Sequence, residues 1–196
     1  MGTLQPTFIV GIGGSAGGLN AYKALLDALP SDTGMAFVFV AHLYPTANSQ
    51  LAEILSRRTK MSVAVASTAM PILANRVYVI PPNADLFIEG DTFIVVSPRS
   101  RRNAQVDLFF TSMAEAIGAR AIGVIVSGYD GDGTEGCKQI KAKGGMTFAQ
   151  DMSAEVNLMP RHAEAAGCID FVLPPDKISE QLQRLAKASR AKGKGP

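Results

Sequence analysis

One serine, one histidine and a few aspartates stand where a chain of alternating strands and helices would gather them. Ser15 lies in the glycine-rich stretch Gly13-Gly14-Ser15-Ala16-Gly17-Gly18, just after the apolar run Phe8-Ile9-Val10. His42 follows the apolar run Met35 to Ala41. Gly128-Tyr129-Asp130-Gly131-Asp132-Gly133 follows Ala121 to Ser127, and Gln150-Asp151 follows Met146 to Ala149. These are the residue types of a Ser-His-Asp triad. A serine hydroxyl is a poor nucleophile until a base takes its proton. An imidazole titrates near neutrality and can accept and return that proton. A carboxylate behind it fixes the tautomer and stabilises the imidazolium. Glycines around the serine permit a sharp turn and close substrate approach. The free N–H groups that open the next helix can hold an oxyanion.

Each residue also has a plainer reading. Ser15 fits the N-cap of a helix. His42 fits a satisfied polar residue at a strand end, and Asp130 and Asp132 fit turn or cap positions. His162, after Met159-Pro160-Arg161, reads as a surface or capping residue. Gly11 to Gly17 resembles a loosened dinucleotide fingerprint, but Ala16 stands where the last glycine should be. The ribose-binding acid expected after the second strand is replaced by His42.

The elements that would position these residues follow from hydrophobic periodicity. Strands are expected at Thr7 to Gly11, Met35 to Ala41, Ser62 to Ala66, Ala121 to Ser127, Met146 to Ala149 and Ile169 to Leu173. Helices are expected at Gly17 to Leu29, Ser49 to Arg58, Val106 to Gly118, Gly133 to Ala142, near Arg161 to Ala166, and from Asp176 onward. Val77 to Ile80, Leu86 to Glu89 and Thr92 to Val96 read as an antiparallel excursion, with a hairpin turn at Glu89-Gly90-Asp91. Pro98 to Asn103 is a charged loop carrying Arg99, Arg101 and Arg102. Repeated strand–helix units predict an α/β fold: a doubly wound, mostly parallel, Rossmann-like sheet with helices on both faces. Ligands of such a sheet bind at the carboxyl ends of its strands, where Ser15, His42 and the aspartates fall.

Composition sets the outer limits. The 196 residues suffice for one domain, and 47% hydrophobic with 18% charged residues is ordinary for a globular protein. The apolar runs are too short to span a bilayer, and Met1 to Pro6 is polar, so no membrane insertion, no signal peptide and a cytoplasmic location are expected. Cys137 and Cys168 have neither metal-ligand spacing nor a disulfide framework and read as reduced core residues. The basic excess in Arg184 to Lys194 has no interleaved aromatics, which argues against a nucleic-acid arm.

The chain resembles the methylesterase domain of the chemotaxis protein-glutamate methylesterase (CheB-type) family from about Phe8 to about Pro175. Carrying segments are Ile12 to Gly18, Ala41-His42-Leu43, Val77 to Pro82, Val106-Asp107-Leu108-Phe109-Phe110, Ile122 to Gly128, Asp132-Gly133 and Met159-Pro160-Arg161. Order and spacing make the match specific. It implies hydrolysis of γ-glutamyl methyl esters, and deamidation of glutamines, on chemoreceptor or sensor helices, with no metal or organic cofactor. It implies Ser15 as nucleophile, His42 as general base and acid, and Asp132, which directly precedes a helix-entering glycine, as the orienting carboxylate. Backbone amides at Ala16 and Tyr129, with Gly14 beside them, are the implied oxyanion and substrate-binding candidates. The catalytic domain is expected at 5–190, with a basic tail at 191–196.

Departures stand beside the site. Ala16, Tyr129 and Asp130 occupy positions where many members carry threonine, methionine and glycine, and the segment from Pro81 to Asp85 lacks a common histidine. Asp130 also weighs against a negatively charged substrate helix. No receiver domain precedes the match, so the resemblance points to a free-standing variant, or to the methylesterase modules fused to methyltransferase and sensor domains, with a separate receiver or methyltransferase protein as a candidate partner. Two other classes fit the same residues: a non-catalytic regulatory module of this fold, and a nucleotide- or phosphate-binding protein using the glycine-rich turn.

Overall fold

The computed structural model describes residues 5–42 and 50–192. Leu43 of the resembling segment, Ser49 of the expected second helix and tail residues 193–196 lie outside the described residues. The strand Ile9–Gly14 (β1) is buried along its whole length and pairs in parallel on both sides. Its neighbours are Ala36–Ala41 (β2) and, much later in the chain, Ala121–Ile125 (β7). Ser62–Val65 (β3) and Arg76–Val79 (β4) extend the β2 side, while Met146–Gln150 (β8) and Phe171–Leu173 (β9) extend the β7 side. Among the described residues the sheet order is β3-β4-β2-β1-β7-β8-β9, with parallel pairing throughout. The separate two-stranded sheet is the hairpin Asp85–Glu89 (β5) and Thr92–Val96 (β6), turned at Gly90 with φ 57°. This is the doubly wound sheet with a hairpin excursion that the sequence predicts.

Helices cover both faces. Gly18–Asp27 (α1), Leu51–Ser56 (α2) and Pro175–Lys192 (α6) pack on one face; its core includes Val10, Ile12, Leu25, Phe37, Phe39 and Leu182. Gln105–Ile117 (α3), Thr134–Ala142 (α4), Leu158–Ala165 (α5) and the hairpin cover the other; its core includes Val38, Val40, Phe93, Phe109, Phe110 and Ile140. Successive residues of β1 and β2 divide between the two cores, as strand pleating requires. Among the described residues, no helix is long and apolar enough to cross a membrane. Cys137 and Cys168 are free thiols, both buried.

Two local expectations are corrected. Val77 to Ile80 does not belong to the antiparallel excursion: β4 lies inside the main sheet, parallel to β2 and β3. Its inward residues Val77, Tyr78 and Val79 are all buried, the mark of a strand covered on both faces; the prolines after it merely end it. β1, in turn, does not stop at Gly11 but continues through Gly13 and Gly14. Those glycines serve packing rather than a turn. A Cβ at Gly11 would come within 2.6 Å of Phe110 and one at Gly13 within 2.3 Å of Val106, both on α3. The bare strand lets α3 settle against it, and this brings the N-terminus of α3 to the carboxyl end of the sheet.

Candidate active site

The chain leaves β1 toward β2 through α1, and leaves β7 toward β8 through α4, in opposite directions across the sheet. The β1/β7 boundary is therefore the topological switch point, where such sheets form a crevice at their carboxyl ends. Ser15 directly follows β1 there, and its N–H donates to the Ser127 carbonyl at 2.8 Å. The N–H of His42, just past β2, donates to the Gly14 carbonyl at 3.3 Å. Backbone pairing thus fixes the serine and the histidine on adjacent strand ends. The N-cap residue of α1 is Gly17, with φ 76° and no side-chain cap bond, so Ser15 is not the cap that its position allowed.

Ser127 holds the turn after Ser15. Its buried hydroxyl donates to the Ala16 carbonyl at 2.7 Å and accepts from the Val156 N–H at 2.9 Å. Its own N–H donates to Gln150 Oε1 at 3.1 Å.

Asp132 is the anchored carboxylate. Its Oδ2 accepts from His42 Nε2 at 2.6 Å and from the Val106 N–H at 3.0 Å, and its Oδ1 accepts from the Asp107 N–H at 2.8 Å. The last two donors lie in the first turn of α3, whose own N-cap, Ala104, has no side chain that could satisfy them. The Asp132 side chain is fully buried. A carboxylate accepts only, so Nε2 carries a proton.

The other ring nitrogen has a different neighbour. Nδ1 of His42 lies 3.4 Å from Asp130 Oδ2, an ion-pair contact that lacks hydrogen-bond alignment and leaves this buried atom without a hydrogen-bond partner. Burial disfavours charge on His42, but the two carboxylates outweigh it and push its pKa up to about 9. Burial likewise favours neutral Asp130, yet the His42 cation holds it below the ordinary carboxylate range.

Ser15, Ala16, His42, Tyr129 and Asp130 line one cavity of about 400 Å³. Arg99, Arg102 and Asn103, from the segment before α3, line it as well. Sequence reasoning gave these three no role; the density of arginines between Pro98 and Asn103 was the signal available. Buried Asp85 pins that loop, accepting from the Ser100 N–H at 2.6 Å and from Gln105 Nε2 at 3.0 Å. A second hollow of about 250 Å³ reaches Ser15 and His42 from the α1 side, past Leu19 and Leu51. A larger depression of about 520 Å³ between the ends of α1 and α2 holds none of the sequence candidates, and an Arg58–Asp27 ion pair crosses it.

Not every candidate converges. Asp151 is spent on its own turn, accepting from the Ser153 N–H at 3.0 Å. His162 is exposed near the end of α5. Gly14 acts through its carbonyl on His42, and a Cβ there would meet the Tyr22 hydroxyl at 2.6 Å.

Comparison with known proteins gives a consistent family. The family model described as CheB methylesterase matches residues 10–182. A putative protein-glutamate methylesterase/protein-glutamine glutaminase of Leptospira interrogans is 38% identical over 178 residues, covering 89% of this chain and 92% of that protein. A protein-glutamate methylesterase/protein-glutamine glutaminase of Hydrogenovibrio crunogenus is 31% identical over 186 residues, 91% of this chain but 49% of that protein. The crystal structure of the Thermotoga maritima CheB methylesterase catalytic domain superposes with a TM-score of 0.83 at 29% identity, covering 91% of this chain and 98% of that one.

Proposed function

Because the chain belongs to the CheB methylesterase family, we propose that it is a protein-glutamate methylesterase in which Ser15, His42 and Asp132 form the catalytic triad. The observation that carries the reading is the His42 imidazole. It is tied through Nε2 to a fully buried, helix-anchored carboxylate and shares a cavity with Ser15 at the switch point of the sheet.

Ser15 attacks the γ-carbonyl of a methylated glutamate while His42 takes its proton. The oxygen that becomes negative is held by the backbone amides of Ala16 and Tyr129, both of which line the cavity. Collapse expels methoxide, which leaves as methanol with the proton from His42. Water, deprotonated by His42, then attacks the acyl-serine and releases the glutamate carboxylate and free Ser15. With a glutamine substrate the same steps release ammonia. Asp132 keeps the imidazole in one tautomer and stabilises its cation. Arg99 and Arg102 line the same cavity and suit a carboxylate product formed there.

The substrate class is a methylated helix of a chemoreceptor or sensor protein, met in the cytoplasm. A separate receiver or methyltransferase protein is the candidate regulator. A phosphate-binding role for the glycine-rich turn is less well supported. Glu155 stands against Gly17 and accepts from Asn20 Nδ2 at 3.3 Å, so a negative charge already occupies the start of α1.

The test is methanol release from methylated receptor, run beside Ser15→Ala and an activated-serine probe. Wild type should release methanol and become labelled at Ser15. The Ser15→Ala variant should keep its fold and lose both. Full activity in that variant would sink the triad, and a chain that is never labelled would favour a non-catalytic module.

A further inference from the structure

Within that triad reading, one contact has no place in the chemistry. A triad histidine uses one ring nitrogen for its carboxylate and the other for the serine. Here Nε2 belongs to Asp132, so Nδ1 is the nitrogen that must take the Ser15 proton. Asp130 Oδ2 stands 3.4 Å from it.

The two aspartates are held very differently. Asp132 is fully buried and accepts three hydrogen bonds, from His42, Val106 and Asp107. The Asp130 side chain is 28% exposed, lines the cavity, and accepts one bond, from the Asp132 N–H at 3.2 Å. One carboxylate is part of the frame, and the other sits at the mouth.

We propose that Asp130 is a positioning residue that competes with Ser15 for Nδ1 of His42. While its carboxylate rests against the ring, the imidazole stays a cation between two acids and cannot accept the serine proton. The site becomes a working base when substrate entering the cavity moves that carboxylate aside.

The charged surroundings are consistent with this. Among the described residues, the groups facing His42 and its partners come from several elements. Asp130 and Asp132 lie in the β7–α4 loop, and Arg99 and Arg102 in the β6–α3 loop. Asp107 of α3 adjoins Asp132, and the His162 side chain of α5 lies near Asp130. The ring is thus flanked by two acids, and Arg99 and Arg102 line the same cavity. The upward shift of His42 to about 9 agrees with this arrangement.

The experiment compares wild type with Asp130→Asn and Asp130→Gly. Asn keeps an acceptor for the Asp132 N–H and removes only the charge; Gly removes the side chain. The His42 ring is titrated by nitrogen NMR, with His162→Gln to assign the second histidine. Methanol release from methylated receptor is followed over the same pH range.

Both variants should lower the His42 midpoint by about one unit or more and raise methanol release near neutrality about tenfold, since each unit is a tenfold change in the neutral fraction. An unchanged midpoint and pH profile would overturn the proposal. So would a lower midpoint with activity lost at every pH, because Asp130 would then be needed by the chemistry itself. Failure of the triad reads differently: wild-type Ser15 would stay unlabelled at every pH, while the His42 midpoint would still report on Asp130.

Discussion

Asp132 and Asp107 cap each other's helices. The Asp107 N–H, in the first turn of α3, donates to Asp132 Oδ1 at 2.8 Å, and Asp107 Oδ1 accepts from the Gly136 N–H, in the first turn of α4, at 2.8 Å. Each carboxylate satisfies donors that the other helix leaves open. The two helix starts are thereby locked together, and the carboxylate facing His42 is fixed from behind. Placing two acids so close has a cost. Burial first, then the Asp132 charge, raises Asp107 to about 6 despite its bond to Gly136. The helix N-termini partly offset that cost, since their partial positive charge favours anions.

Replacing Asp132 therefore separates two roles. Asp132→Ala leaves the Val106 and Asp107 N–H groups and His42 Nε2 unpaired in a buried site. The expected loss is about 2–4 kcal/mol of stability, from unsatisfied donors and a lost cap. Asp132→Asn keeps one acceptor oxygen and should lose less stability, yet activity should fall about 10³-fold or more, because the amide no longer fixes the imidazole as the carboxylate does. Urea unfolding and kcat/KM on both variants check this. A large activity loss in both variants, with the larger stability loss in Asp132→Ala, fits the two roles; wild-type activity in Asp132→Asn would contradict them.

The fold and much of the site were legible because periodicity and glycine punctuation are local signals. Phe8 to Val10 and Met35 to Ala41 announced buried strands, and the residues after them marked the sheet edge where Ser15 and His42 meet. Other features depend on long-range pairing. Whether β4 ran parallel inside the sheet depended on its pairing with β2 and β3, which its short sequence does not encode. The arginine loop became part of the cavity only because Asp85, from a different element, bonds Ser100 and Gln105. Asp130 and Asp132, two residues apart, looked alike in sequence. Their difference lies in the α3 amides, contributed from 25 residues away in the case of Asp107.

Gly13 links core packing to the site. A Cβ at this position would fall 2.3 Å from Val106 Cγ1 and 3.0 Å from Cγ2, so Gly13→Ala must displace the Val106 side chain. The Val106 N–H donates to Asp132, so the displacement moves the carboxylate's support as well. Overpacking of this kind costs about 1–3 kcal/mol. A shift of a fraction of an ångström at the triad should lower kcat/KM about 10- to 100-fold. The double variant Gly13→Ala/Val106→Ala removes both clashing methyl groups and should recover most of the activity. If Gly13→Ala matches wild type in melting temperature and kcat/KM, α3 is not seated on β1 as closely as described.

Stability should also depend on pH through His42. Its folded pKa, about 9, lies above its ordinary value of 6.5, so the folded state binds this proton more tightly than the unfolded chain. The stabilisation is fully present below about pH 6.5 and is lost as pH rises through about 9. A shift of that size is worth about 3 kcal/mol at most. Denaturant unfolding of wild type should therefore show stability falling across this window. His42→Gln, which cannot titrate, should flatten that part of the profile. The lowered Asp130 acts with the opposite sign, contributing above its unfolded pKa and losing its contribution only as pH falls into the acid range, so it does not blur the alkaline window. Parallel slopes for wild type and His42→Gln between about pH 6.5 and 9.5 would mean that His42 is not held as a cation between its two carboxylates.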